Sequence, residues 1–275
     1  MSLMRRPLRV LVVGVGSPNA DLVAEILAET GVHAEWTDRV KFPDPFLIRR
    51  FDVVYGIYLQ TCSRYILVAR LLGRKTLLHF VGSDAYWLAR ERSFWRQAYW
   101  SLVLVLSNAV LYVSPHLEQL TRRKGFILPF PISGEYFTEA KVDIVPDRDV
   151  LYYCPSGSVN EKIYRLSWIL EYARMHQDEK ITIIGNIAHP AHYKTNLPNV
   201  KVIPYVDRFE MPSLYKRHKR LIRMTTEDGL PRMVHEALRC GLTVVFNGKE
   251  VSDIPRERDP ELFACHILRV LRTLR

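Results

Sequence analysis

A repeated alternation of short β-branched apolar runs with helical stretches most constrains what this chain can fold into. Leu8–Gly16 (LRVLVVGVG) is apolar and ends in glycines, and Ala20–Thr30 carries apolar residues at helical spacing before Gly31, which suits a helix C-terminal cap. Further strands are expected at His33–Thr37, Asp52–Tyr58, Lys75–Val81 and Ala109–Ser114, separated by helical stretches at 63–72, 86–107 and 115–124. Strands that alternate with helices make a parallel sheet covered on both faces.

From Phe130 to Asp149 the pattern gives way to Pro, Gly and acidic residues, the composition of a linker. A second series follows: strands at Val150–Cys154, Lys180–Ile184, Lys201–Ile203, Leu221–Met224 and Leu242–Phe246, with helices near 161–176, 210–217 and 231–240. The 275 residues suit two compact units, since domains commonly run about 100–200 residues. The expected fold class is therefore α/β, with two Rossmann-like domains in tandem and a ligand held in the cleft between them. We place an N-terminal domain at 1–140, a C-terminal domain at 141–258 and a C-terminal helix at 259–275 that can pack back on the first domain.

Nearly half the residues are apolar, which excludes a disordered chain. Cys62, Cys154, Cys240 and Cys265 are scattered, with no metal-ligand or disulfide-framework spacing, which fits a reducing cytoplasm. His189 and His192 have no third ligand nearby, so no metal site is expected. The opening Met1-Ser-Leu-Met4 reads as a vector remnant before a native Met4, and no secretion leader is visible. The most apolar run, Trp100–Val113, is interrupted by Ser101, Ser107 and Asn108 and falls short of the roughly 18 residues a membrane span needs.

The net charge of +10 suits phosphates, nucleic acid or an anionic bilayer. The cluster Lys216, Arg217, Lys219, Arg220 lacks the aromatic interleaving of a single-strand platform, so no nucleic-acid partner is expected. Tyr86–Tyr99 (YWLARERSFWRQAY) mixes aromatics with Arg90, Arg92 and Arg96, and two readings of it stand. It is an interfacial helix meeting a membrane, or an ordinary helix packing its aromatics on the sheet.

The stretch with most chemistry is Thr225–Gly248 (TTEDGLPRMVHEALRCGLTVVFNG), which sets Asp228 and Glu236 on either side of a strand-to-helix turn. Pro231 suits the first turn of a helix and Gly241 the position after its end. The free amides at such a helix start frame a diphosphate site, with Gly229, Leu230, Pro231 and Arg232 as the residues of its donor-binding turn. Glu236 is placed to accept hydrogen bonds from two neighbouring ribose hydroxyls, and Asp228 from hydroxyls of a transferred sugar.

This stretch resembles the E-x7-E region of retaining glycosyltransferases of the GT-B fold, fourth sequence family, with Asp228 at the first acidic position. His79-Phe-Val-Gly-Ser-Asp84 is similar to that family's HGSD-type segment. Tyr112-Val-Ser114 through Leu128-Pro129 and Pro198-Asn-Val200 through Met211-Pro-Ser-Leu-Tyr215 are similar to two more of its segments. Glu161-Lys162 stands where it has its eKG lysine.

The resemblance implies transfer of a sugar from a UDP- or GDP-linked donor to an acceptor hydroxyl with retained configuration, without metal or other cofactor. The acceptor would be a glycan or a lipid-linked molecule, reached from the cytoplasm and, for a lipid, at the inner face of the membrane. Lys162 and the helix amides would meet the departing diphosphate, and His79 the donor sugar or its phosphate. Gly14, Gly16 and Gly185 belong to the donor side, and Ser83 and Asp84 to the acceptor side. The family usually carries an arginine about five positions before the lysine, where Gly157 stands, and Arg165 or Arg232 are the candidates to replace it. Two other classes remain: a catalytically degenerate relative acting as a binding subunit, and an NAD-type oxidoreductase using Gly14, Gly16 and Asp38.

Overall fold

The computed structural model of the chain describes residues 6–14, 18–39, 42–132, 144–155, 157–185, 196–207, 209–227, 231–253 and 258–274. The chain divides into two compact units, Met1–Pro131 with Arg256–Arg275, and Ile132–Pro255. The expected boundary at 140/141 lies outside the described residues.

In the first unit the order is β1 (Arg9–Val13), α1 (Pro18–Glu29), β2 (His33–Thr37), α2 (Pro45–Arg49), β3 (Val53–Ile57), α3 (Leu59–Leu71) and β4 (Lys75–Phe80). It continues with α4 (Ser83–Arg90), α5 (Phe94–Leu106), β5 (Ala109–Tyr112), α6 (Pro115–Thr121) and β6 (Phe126–Ile127). The six strands pair in the order β2-β1-β3-β4-β5-β6, and every pairing is parallel. Both faces are buried, which is why β1 reads as a continuous apolar run. Val10 and Val12 face a core with Val23 and Leu27 of α1, while Leu11 and Val13 face one with Tyr65 and Ile66 of α3 and Val103 of α5.

The second unit holds β7 (Arg148–Tyr153), α7 (Ser158–Ile163), α8 (Leu166–Met175), β8 (Ile181–Ile184), β9 (Val200–Ile203) and α9 (Met211–Lys216). Then come β10 (His218–Arg223), α10 (Arg232–Arg239), β11 (Thr243–Phe246) and β12 (Lys249–Val251). Its sheet runs β12-β11-β10-β7-β8-β9, parallel except for the antiparallel edge strand β12. Counted from β7, this is the doubly wound order 3-2-1-4-5 with a sixth strand added, and it reverses between β7 and β10. The chain ends in α11 (Pro260–Thr273), capped by Asp259, whose Oδ1 accepts from the amides of Glu261 (2.8 Å) and Leu262 (3.3 Å). Phe263, Ile267 and Leu271 of α11 are buried in the same core as Val10 and Leu27.

Two helices expected as continuous are each broken in two. The stretch 86–107 stops at Arg90, where Glu91 and Ser93 turn extended and the Glu91 carboxylate accepts from the Ser93 amide at 2.9 Å. The stretch 161–176 breaks at Tyr164–Arg165, because the Tyr152 hydroxyl takes the Tyr164 carbonyl at 2.6 Å and Arg165 turns left-handed. No helix among the described residues is long and apolar enough to cross a membrane.

Candidate functional site

In doubly wound sheets, ligands sit beyond the carboxyl ends of the strands where the strand order reverses. At that place in the second unit lies a cavity of about 350 Å³. Its walls come from the strand ends: Tyr153 of β7, Ile184 and Gly185 of β8, Pro204–Val206 after β9, and Arg223 of β10. Helices close it with Met211 and Tyr215 of α9 and Met233 and Glu236 of α10. Gly185 is required here. Its φ is +103°, and a Cβ would stand 2.6 Å from Cε2 of Tyr153.

Glu236 is held from two sides. Its Oε2 accepts from the Tyr215 hydroxyl at 2.9 Å, and its Oε1 lies 2.7 Å from Nε of Arg232, one helical turn earlier. Burial and the adjacent carboxylate push the Tyr215 phenol well above its ordinary range, so it stays a donor to Glu236. The carboxylate is thus pre-oriented at the cavity wall. Pro231 stands one residue outside the helix as its N-cap, and α10 begins at Arg232.

Arg223 is the residue that sequence reasoning missed. Its guanidinium carbon lies 4.7 Å from the Tyr153 ring centroid and 4.3 Å from that of Tyr164, and Nη1 donates to the Tyr153 carbonyl at 3.4 Å. The signal was present: an arginine ending the apolar strand Leu221-Ile222-Arg223 is out of place in a buried parallel sheet unless it serves the strand's carboxyl end. The Thr226 amide donates to the Ile163 carbonyl at 3.0 Å, fastening the end of α7, and with it Lys162, to the turn that leads towards α10. Lys162 itself is exposed, as is Arg165. Asp228, Gly229, Leu230 and Gly16 lie outside the described residues, as do His189 and His192.

The first-unit candidates are placed otherwise. His79 is fully buried, with Nδ1 2.6 Å from the Tyr55 hydroxyl and its ring stacked 4.2 Å from that of Phe130. Burial lowers its pKa to about 3, so the ring is neutral. In this position it is a core histidine rather than one presented to a sugar. Asp84 is also fully buried, and its carboxylate accepts from the amides of Leu59, Val81, Gly82 and Ala85 at 3.0–3.1 Å. That arrangement binds the starts of α3 and α4 together, so the expected acceptor contact gives way to a structural one. Ser83 donates to the Tyr58 hydroxyl at 3.2 Å. Gly14 directly follows β1, and its amide donates to the Thr37 carbonyl of β2 at 3.1 Å.

The basic cluster on β10 and its approach is largely neutralised: Arg217 pairs with Asp147 at 2.7 Å, Lys219 with Asp149 at 2.7 Å, and Arg220 with Glu179. Among the described residues no group of three or more His, Cys, Asp or Glu could hold a metal ion.

No known family's sequence profile matches this chain, and no curated protein does. Solved structures do. A sucrose-phosphate synthase from Thermosynechococcus elongatus superposes with a TM-score of 0.60 at 13% identity, over 96% of this chain and 90% of that one. Anabaena HepE in complex with UDP and glucose gives 0.64 at 11%, over 97% of this chain and 100% of that one. A UDP-N-acetylglucosamine 2-epimerase from Rickettsia bellii gives 0.59 at 10%, over 97% and 96%. At such identities the likeness is one of fold: two Rossmann-like domains, as in GT-B glycosyltransferases.

Proposed function

We propose that this protein is a retaining, metal-independent glycosyltransferase that takes a UDP- or GDP-linked sugar. The observation that carries the reading is the cavity at the order reversal of the second sheet, with the braced carboxylate of Glu236 and the cation of Arg223 in its wall. A nucleoside fits such a cavity, with Glu236 accepting from the ribose hydroxyls. Arg223, the first amides of α10 and Lys162 meet the diphosphate, and Asp228 meets the transferred sugar. The bond from the sugar's anomeric carbon to the diphosphate oxygen breaks, and its electron pair leaves with the diphosphate. The acceptor oxygen bonds that carbon on the same face, and its proton passes to the departing phosphate oxygen. The chief catalytic task is to stabilise the developing anion, which preorganised donors and cations do. The neighbours support the donor class, since HepE was solved with UDP and with UDP-glucose. The acceptor is a glycan or lipid-linked hydroxyl met in the cytoplasm, at the inner membrane face if it is a lipid.

Calorimetric titration of UDP, GDP and NAD into wild type and Glu236→Ala tests this. Saturable UDP or GDP binding that disappears in the variant is expected. Binding of NAD alone would move the protein to the oxidoreductases, and binding without transfer to any sugar acceptor would make it a degenerate subunit. A bound UDP-sugar inverted at a ring carbon, with no transfer, would instead place it with the epimerase.

A further inference from the structure

The two readings of Tyr86–Tyr99 are separated by where its side chains go. Tyr99 and Trp100 pack against the first unit's core, and Val103 and Leu104 are buried in it. The opposite side of α5 is apolar as well and has no cover. Trp95 is 80% exposed, Phe94 71%, Val105 69% and Leu102 50%, and Trp87 on α4 is 63% exposed. With Ala98 and Ser101 these α5 positions fall within an arc of about 120° that runs roughly 16 Å along the helix. A helix apolar on all sides is ordinarily buried on all sides. Here half of that requirement is unmet, and soluble monomers rarely leave such stripes bare.

Arginines gather at the N-terminal end of the stripe. Arg92 is exposed just before α5, and Arg96, 72% exposed, reaches Glu91 only at 3.8 Å. Arg90 lies over the Tyr86 ring at 5.5 Å on the neighbouring helix. The first turn of α5 holds no acidic residue, and none occurs between Arg92 and Leu117. Tryptophan and phenylalanine beside arginines, at one end of an aliphatic stripe, match a headgroup boundary. The rings sit at the interface, the aliphatic face enters the acyl region, and the guanidinium groups meet phosphates.

We propose that α5, with the end of α4, is a docking face for an anionic phospholipid surface, on which the protein lies without spanning it. This goes beyond the transferase reading and does not depend on it.

The test is sedimentation with vesicles of phosphatidylcholine alone and of phosphatidylcholine mixed with phosphatidylglycerol, at physiological ionic strength. Wild type is expected to bind the mixed vesicles about tenfold or more tightly than the neutral ones. Trp95→Ser/Leu102→Ser lowers that binding about tenfold or more, by removing apolar contact. Arg92→Glu/Arg96→Glu removes the preference for anionic lipid. These side chains are exposed, so unchanged far-UV circular dichroism serves as the check that each variant folds. Wild type indifferent to both vesicles, or Trp95→Ser/Leu102→Ser binding as wild type does, overturns the proposal. So does self-association that the same variant abolishes in the absence of vesicle binding, since a second copy would then be the cover. Lipid binding without nucleotide binding would leave this inference standing and the transferase reading fallen.

Discussion

In the resembling family an arginine precedes the lysine after the second domain's first strand, and here that position is a glycine with φ +109°, which no arginine adopts without strain. Under the proposed function the cation comes from the adjacent strand: β10 runs beside β7 with Ile222 opposite Tyr152, and the next residue, Arg223, reaches the Tyr153 ring. Of the earlier candidates, Arg165 is exposed on the α7–α8 turn and Arg232 pairs with Glu236. A charge-assisted hydrogen bond contributes about 1.5–3 kcal/mol, so Arg223→Met should weaken UDP or GDP binding about 10–100-fold. Affinity for the matching nucleoside, which has no phosphate to lose, should hold within a few-fold. Titration of both ligands decides it. Equal loss of nucleoside and nucleotide would reduce Arg223 to a spacer between two tyrosines.

The elements of the first unit depend on Asp84 in a way that pH reveals. Its carboxylate accepts from the amides of Leu59 on α3 and of Val81, Gly82 and Ala85 at the start of α4, yet burial pushes its pKa from 3.8 up to about 6. Below about pH 4 the group is protonated in both folded and unfolded chains. Above about 6 it is ionised in both, and the full cost of burying its charge is present. Stability should therefore fall as pH rises from about 4 to 6 and stay level beyond, by roughly 3 kcal/mol from this group alone. Asp84→Asn, less stable overall for lack of an acceptor matched to the four donors, should show a flatter profile over that window in urea titrations. Parallel profiles would refute the assignment. The same element shows what sequence could and could not tell. Strands buried on both faces announce themselves as apolar runs, and the Pro231 turn announces a helix start, so the two sheets and the start of α10 were legible. The HGSD-type segment was legible only as a motif, because nothing local says that His79 points at Phe130 or that Asp84 faces amides of two helices. The break at Tyr164 was hidden for the same reason: it is imposed by the hydroxyl of Tyr152, from another element.

At the scale of the whole molecule, the chain returns after its second unit to finish the first. Phe263, Ala264, Ile267, Val270, Leu271 and Leu274 are all buried in the core that holds β1 and α1. Each large side chain among them contributes about 1.5–3 kcal/mol on burial, so together they contribute on the order of 10 kcal/mol, as much as a whole domain's net stability. A chain ending at Arg258 should therefore lose the cooperative unfolding of the first unit. The tryptophans can report this separately: Trp36, Trp87, Trp95 and Trp100 belong to that unit, and Trp168 alone to the second. Fluorescence and limited proteolysis should show the first unit open, while the cavity, whose lining lies wholly between Tyr153 and Glu236, keeps its nucleotide affinity within a few-fold. A first unit that stays folded without α11 would contradict this account of its core. Nucleotide binding lost along with the first unit would mean that the donor site draws on residues of both, and that Glu236 and Arg223 hold only part of it.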